Sequence, residues 1–357
     1  MQLNVLVLPG DGIGTEVTRE AVRVLERVAS RFSHSLKLTE GLLGGVAIHK
    51  TGTPFPDATA ALAQDADATL LGAVGLPEFD NAPPSQRPER GLLGIRAALG
   101  VYANLRPVRT YAALIDSSPL KNHLVEGTDM IIVRELTGGI YYGTPRGIEG
   151  DSAVNTMAYS RPEIDRIARM AFELASKRRK KVASVDKSNV LECSQLWRKV
   201  VTEVAADYPD VELEHILVDN CAMQLVLNPR RFDVVVTENM FGDILSDEGA
   251  VLAGSIGMLP SASIGGKKPS GAWVGLYEPV HGSAPDIAGQ NKANPLGAIG
   301  SVAAMLEYSF GLLDEAKAVT AAMETVLNSG RVTADLKPAG TPATTEQVGQ
   351  AVCDAIG

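Results

Sequence analysis

The strongest constraint on the fold is a series of short apolar runs separated by stretches of helical period. Leu3–Leu8, Ala68–Val74, Met130–Glu135, Val182–Asp186 and Phe232–Thr237 are apolar and rich in β-branched residues. Near-continuous runs of this kind mark strands buried on both faces of a parallel sheet. Leu36–Thr39, Val101–Arg109 and the alternating Val211–Val218 read as further strands. Between the first two runs, Val17, Ala21, Val24, Leu25, Val28 and Phe32 recur at helical spacing over Thr15–Phe32. Helices are also expected over about Asp57–Gln64, Gly91–Leu99, Asn189–Asp207, Asn294–Tyr308, Asp314–Leu327 and Thr345–Ile356. Another opens at the capping box Ser160-Arg-Pro-Glu163 and ends in the basic cluster Lys177–Lys181. Strands alternating with helices imply an α/β sheet. The stretch Gly75–Gly91 reads as a long loop, and Gly254–Gly275, rich in glycine, serine and proline, as largely loop. Thr144–Tyr159 has no regular period and reads as a projecting arm or a disordered insertion.

Composition removes several function classes. A chain of 357 residues forms two domains or one large one. The net charge of −9 is spread among interspersed acids and bases, which argues against nucleic-acid and membrane-surface partners. Aromatics at 5% leave no stacking platform for single strands. Cys193, Cys221 and Cys353 are far apart and odd in number, so no zinc spacing or disulfide framework follows and a reducing cytoplasm is expected. Leu3–Leu8 is too short for a signal-peptide core, and no stretch approaches a membrane helix in length.

Chemistry concentrates in four places. In Thr237-Glu-Asn-Met-Phe-Gly-Asp-Ile-Leu-Ser-Asp-Glu248, Asp243 and Asp247 stand four apart. In a helix they share a face, repel each other, and suit a hard divalent cation or a solvated acidic surface. Asp219 is a possible third carboxylate. Arg96, Arg106 and Arg134 come from different elements; if they converge, they suit a substrate carboxylate, and otherwise they are structural ion pairs. Lys187 follows a strand and adjoins Asp186, so it is either salt-bridged there or a base; Tyr141, beside Gly138-Gly139, either packs or supplies a proton. In His281-Gly-Ser-Ala-Pro-Asp286, small residues let backbone approach a ligand. Asp286 there can accept from ribose hydroxyls and repel a 2′-phosphate, favouring NAD over NADP. The glycine-rich turn Pro9–Gly14 lies between a strand and a helix and suggests phosphate binding, but it matches neither GxGxxG nor a GK[ST] ending and also fits a plain tight connection.

Taken together, Pro9–Gly14, Glu89–Arg96, Tyr102–Pro107, Val133–Gly143, Val185–Asn189, Thr237–Glu248, Leu259–Ser263 and Glu278–Ala288 resemble the β-hydroxyacid oxidative decarboxylases, the isocitrate/isopropylmalate dehydrogenase family, in order from end to end. The resemblance implies a two-domain α/β fold with a large mixed sheet flanked by helices, and not a Rossmann fold. It implies a first domain of residues 1–100 and 255–357 and a second of 101–254 that carries the arm and forms a homodimer with shared active sites. Mg²⁺ or Mn²⁺ would bind Asp243 and Asp247, with Asp219 from the partner subunit. Arg96, Arg106 and Arg134 would hold the malate carboxylates. Lys187, also from the partner, would take the 2-hydroxyl proton as hydride passes to NAD, and Tyr141 would protonate the enol after CO₂ leaves. Asn189, Glu278, His281, Gly282, Ser283, Ala284, Pro285, Asp286, Ile287 and Asn294 would line the cofactor site. Glu89, Leu92 and Leu93 would select the substrate. Two leucines facing the side group imply 3-isopropylmalate, in leucine biosynthesis, because a third carboxylate would be left unpaired in an apolar pocket. Leu76 departs from the glycine common at its position, and Gly265–Gly275 is longer than the family pattern.

A tartrate or homoisocitrate dehydrogenase is the nearest alternative. A Mg²⁺-dependent phosphohydrolase using Asp243 and Asp247, or a non-catalytic NAD-binding protein, represents another class; the first is opposed by the absence of an obvious phosphate loop, and the second needs neither Lys187 nor three acids.

Overall fold

The structure, a computed structural model, describes residues 1–83, 86–252, 254–268 and 271–357. Pro84-Ser85, within the first expected loop, and Pro269-Ser270, within the second, lie outside the described residues. The chain divides into two compact units. One comprises Met1–Val101, Tyr111–Ser117 and Gly254–Gly357, and the other Tyr102–Thr110 and Ser118–Ala253.

The first unit begins with β1 (Gln2–Gly10), α1 (Gly14–Arg31), β2 (Ser35–Glu40), α2 (Gly45–Thr51), α3 (Asp57–Asp65), β3 (Ala68–Ala73) and α4 (Glu89–Leu99). The second unit runs β4 (Ala103–Arg109), α5 (Asn122–Val125), β5 (Asp129–Glu135), β6 (Arg146–Glu149), β7 (Ser152–Asn155), α6 (Arg161–Ser176), β8 (Lys181–Asp186), α7 (Glu192–Ala205), β9 (Glu212–Leu217), α8 (Val218–Leu227), β10 (Val234–Thr237) and α9 (Asn239–Leu252). The chain then returns to the first unit with β11 (Pro260–Lys267), β12 (Trp273–Pro279), α10 (Leu296–Tyr308), α11 (Leu313–Asn328) and α12 (Thr345–Ile356).

Each unit is an α/β layer around a mixed sheet. In the first, the strand order is β2-β1-β3-β12-β11, all parallel except the β11–β12 pair. In the second it is β4-β5-β10-β8-β9, all parallel except β4–β5. The helical stripe of α1 buries Val17, Ala21, Val24, Leu25 and Val28 completely. Each of these valines and the leucine contributes roughly 1.5–3 kcal/mol relative to exposure. In the second unit α6 and α7 pack together, burying Ile164, Ile167, Phe172, Trp197, Val200 and Val201. The Trp197 indole N–H donates to Ser184 Oγ at 3.2 Å, so its burial leaves no orphan donor.

Two expectations are corrected, and two segments left open by the sequence gain a structure. Gly254–Gly275 is not mainly loop: it holds all of β11 and the start of β12. Ser261, Ala262 and Ser263 are buried there, and small side chains enter a sheet when their neighbours fill the space. The residues after β9 form helix α8, with Asp219 in its first turn, where the helix dipole favours a carboxylate. Helix α7 begins at Glu192, because Lys187 to Val190 is a turn closed by the Val190 N–H on Lys187 O at 3.0 Å. The stretch Thr144–Tyr159 contains the antiparallel hairpin β6–β7, whose strand residues are all exposed, Ile148 at 83%.

Candidate active site

Helix α9 starts directly beyond the carboxyl end of β10. The buried Glu238 caps it, accepting from the Met240 and Phe241 N–H groups at 3.0 and 2.7 Å, and burial raises its pKa. One turn apart on this helix, Asp243 and Asp247 lie within reach of two arginines from adjacent strands. Arg134, near the end of β5, donates through Nη1 to Asp243. Arg106, on β4, donates to Asp247 Oδ1 at 3.0 Å and to Ser246 Oγ at 2.6 Å, and stands 3.9 Å from Asp243. The two like charges on the helix are thus neutralised by two cations. Gly242 makes this possible, since a Cβ there would lie 2.6 Å from Arg134 Cγ.

Tyr141 completes the cluster by donating its hydroxyl to Asp243 Oδ2 at 2.8 Å. Burial first, and this bond to a carboxylate second, push the phenol pKa up, so it holds its proton at neutral pH. The Arg134 guanidinium lies 5.8 Å from the ring centre. The arrangement holds two cations able to clamp carboxylates, two carboxylates able to ligate a hard ion, and one neutral acid.

Lys187 is not salt-bridged to Asp186. Asp186 accepts both arms of Arg198 at 2.9 Å, leaving Lys187 Nζ to donate to Asp219 Oδ1 at 2.8 Å. That hydrogen bond lowers the Asp219 pKa. Among the described residues, no three acidic, histidine or cysteine side chains gather as a metal site. Within the single chain Asp219 stands with Lys187 and not with Asp243 and Asp247. Asn189 is exposed in the turn after β8. Below Asp219 on α8, Met223 and Leu227 are 56% and 59% exposed, and Ile244 on α9 is 60% exposed.

In the first unit, Glu89, Leu92, Leu93 and Arg96 fall on one stripe of α4, at relative positions 0, 3, 4 and 7. Leu92 packs partly against the core formed by Leu43, Leu71, Ile95 and Leu276, while Glu89 and Leu93 are exposed. Arg96 bonds Glu278 at 2.7 Å, and its buried Nε has no partner among the described residues. Leu76 seats its side chain over Gly45, where a Cβ would lie 2.4 Å from Leu76 Cδ1.

The loop after β12 is held in place by the turn after β1. The Ile13 N–H donates to Ser283 O at 2.8 Å, and Asp11 N–H donates to Ala73 O at 2.8 Å. These amides are occupied by protein acceptors, so the suggestion of phosphate binding in Pro9–Gly14 is corrected to a structural connection. Asp11, 3% exposed, accepts from the Gly45, Val46 and Gly75 N–H groups at 2.8, 2.8 and 2.9 Å. Glu16 accepts from the Gly289 and Asn291 N–H groups. His281 pairs Nδ1 with Gly282 O at 2.9 Å; its Nε2 is enclosed without a partner, and burial lowers its pKa, which keeps it neutral. Gly282, Pro285 and Asp286 are exposed, Ala284 and Ile287 half-buried. Asn294 bonds Asp335 at 3.0 Å and accepts from the Leu296 N–H at 3.0 Å, at the start of α10. Asp11, Glu16 and Asn239 escaped the sequence reading. For Asp11 and Glu16 the available signal was a carboxylate inside the turn Pro9–Gly14 or on its flank; Asn239 carried none.

The sequence profile of the family described as isocitrate/isopropylmalate dehydrogenase matches residues 4–352. A protein described as 3-isopropylmalate dehydrogenase from Priestia megaterium is 60% identical over 340 residues, covering 94% of this chain and 91% of that protein. One of the same description from Geobacillus kaustophilus is 59% identical, covering 94% and 90%. The crystal structure of isocitrate dehydrogenase from Methylococcus capsulatus superposes with a TM-score of 0.86 at 35% identity, covering 99% of each chain.

Proposed function

The chain belongs to the isocitrate/isopropylmalate dehydrogenase family, and from that premise we propose that it oxidises and decarboxylates 3-isopropylmalate to 4-methyl-2-oxopentanoate and CO₂ with NAD, in the cytoplasm, in leucine biosynthesis. The observation that carries the reading is the cluster of Arg106, Arg134, Tyr141, Asp243 and Asp247 in one unit. It joins carboxylate clamps, hard-ion ligands and a neutral proton donor. No helix among the described residues is long and apolar enough to cross a membrane.

Two carboxylates one helical turn apart, already drawing cations, fit a Mg²⁺ or Mn²⁺ ion. The small residues and exposed acid of His281–Ile287 fit an NAD ribose. Held by Asp243 and Asp247, the cation would supply Lewis acidity to the substrate oxygen, and a nicotinamide at the His281–Ile287 side would supply a hydride acceptor. The remaining roles belong to the chain. Arg96, Arg106 and Arg134 bind the malate carboxylates, exchanging protein carboxylates for substrate ones. Leu92 and Leu93 meet the isopropyl group, and Glu89 borders it. Lys187 takes the 2-hydroxyl proton, and Tyr141 delivers one to the enol carbon. Asn189, Glu278, His281, Gly282, Ser283, Ala284, Pro285, Asp286, Ile287 and Asn294 form the cofactor side.

The two units serve as the two domains, and a second copy completes each site with Lys187 and Asp219. What supports the homodimer is that Lys187 and Asp219 are bonded to each other and not to Asp243. The apolar residues Met223, Leu227 and Ile244 beside them are also exposed in the single chain. The test is a substrate panel with NAD or NADP, with and without EDTA. The expected result is NADH formation from 3-isopropylmalate that EDTA abolishes. Turnover of isocitrate or tartrate instead would sink the reading.

A further inference from the structure

We propose that Asn239 is a positioning residue, a single buried amide that sets the proton donor Tyr141 and the carboxylate clamp Arg134 in register with each other. The inference deepens the proposed function and rests on it.

Asn239 opens α9 and is 2% exposed. Its amide is used in both directions: Oδ1 accepts from Arg134 Nε at 3.0 Å, and Nδ2 donates to Gly138 O at 3.2 Å. Gly138 leads into the tight turn Gly139–Tyr141 that carries the proton donor. The same residue's backbone N–H donates to the Tyr159 hydroxyl at 3.0 Å. The Tyr159 side chain fills the space where Gly138 and Gly139 lack side chains; a Cβ on Gly138 would lie 2.6 Å from its ring, and one on Gly139 2.6 Å from its hydroxyl. The ring is braced edge-on by Trp197 at 5.7 Å, and Ala158 O accepts the Gly139 N–H at 3.1 Å. Glu135, fully buried, holds the Gly138 N–H at 2.7 Å from the other side.

These contacts close a ring. Arg134 and Tyr141 meet at Asp243, and behind them Arg134 and the Tyr141 turn meet at Asn239. A primary amide offers an acceptor to the guanidinium and a donor to the carbonyl at once. Aspartate keeps the acceptor for Arg134 but turns an oxygen toward the Gly138 carbonyl, so Asn239→Asp loosens the Tyr141 turn and leaves the arginine held. Tyr159→Phe removes one hydroxyl and preserves the ring packing.

The order of chemical events supplies the readout. Hydride leaves C2 for the nicotinamide, CO₂ departs with its electron pair left on the substrate, and the resulting enol takes a proton at carbon last. A misplaced Tyr141 slows only the step after NADH has formed, so NADH appears in a burst before slow turnover. A general loss of structure lowers burst and turnover together.

The experiment is rapid-mixing NADH absorbance with the full-length enzyme, saturating NAD and Mg²⁺, and 3-isopropylmalate. It compares wild type, Asn239→Asp and Tyr159→Phe, with Tyr141→Phe as the benchmark. For Asn239→Asp we expect steady-state turnover to fall roughly 10–100-fold with a burst like that of Tyr141→Phe. Because CO₂ is lost before the slowed step, kcat/KM for the malate should stay within about threefold of wild type, KM falling with kcat. Tyr159→Phe should move the same way by a smaller factor, and it carries the test if Asn239→Asp does not fold. Wild-type kinetics in the folded variants, or proportional loss of burst and turnover, overturns the proposal. A raised KM with unchanged turnover, the signature of a disturbed Arg134 alone, also overturns it. Failure of wild type to form NADH sinks the function reading itself. A bursting Tyr141→Phe beside a burst-free Asn239→Asp sinks only this inference.

Discussion

The two units share an arrangement, four parallel strands with one antiparallel strand at the end, yet the acids beside the turn after β1 and the acids on α8 and α9 are held in opposite ways. In the first unit Asp11 and Glu16 accept from backbone N–H groups of neighbouring loops. In the second, Asp243, Asp247 and Asp219 accept from arginine, tyrosine and lysine side chains. A carboxylate tied to backbone amides cannot be released without unsatisfying the chain itself. A carboxylate that is itself exposed or half-exposed and tied to side-chain cations can exchange them for a metal or a substrate carboxylate. The first pattern builds a scaffold, and the second is ready for ligands.

Substitutions that separate these two kinds of acid test the contrast. Asp243→Asn is expected to lower turnover on the order of 10³-fold while leaving the thermal midpoint near wild type. Steady-state kinetics beside a melting curve reads both, and full activity would break the comparison. Tyr141→Phe is expected to cost on the order of 10²-fold in kcat. Because the phenol pKa is raised above about 10, the tyrosine stays protonated across the working range. The pH–rate profile below that value should therefore keep its shape in the variant; a lost alkaline limb would show the assignment wrong. Asp11→Ala inverts the pattern. It leaves one buried and two partly buried N–H groups without their acceptor and should cost about 2–4 kcal/mol of stability, read by denaturant unfolding. Turnover per folded molecule should fall less than in either variant above.

The same contrast explains what was legible in the sequence. The strands β1, β3, β5, β8 and β10 were readable because burial on both faces demands apolar β-branched runs. The Asp243/Asp247 pair was readable because a four-residue spacing of like charges on a helix needs a reason. The strand β11 was not: Pro260-Ser-Ala-Ser-Ile-Gly-Gly-Lys267 has loop composition, and only its pairing with β12 makes it a strand. Helix α8 was hidden because Val218 follows a strand with no side-chain cap to announce a change of period. The partner of Lys187 was also hidden. Adjacency suggested Asp186, but three-dimensional competition from Arg198, presented one helical face away on α7, takes that carboxylate. Asn239 stood inside the most informative stretch and carried no signal, since a buried amide's value lies in what stands on either side of it in space.

The pairing of Lys187 with Asp219 has a genetic consequence. If each site draws that pair from a second copy, two chains that are each dead can repair one another. A Lys187→Ala chain keeps its own Asp243, and an Asp243→Asn chain keeps its own Lys187. Mixed in equal amounts and allowed to exchange, they would form about half hybrid dimers, each with one intact and one doubly broken site. Activity would return to about one quarter of wild type from two inactive preparations. Chains that serve their own sites would return nothing.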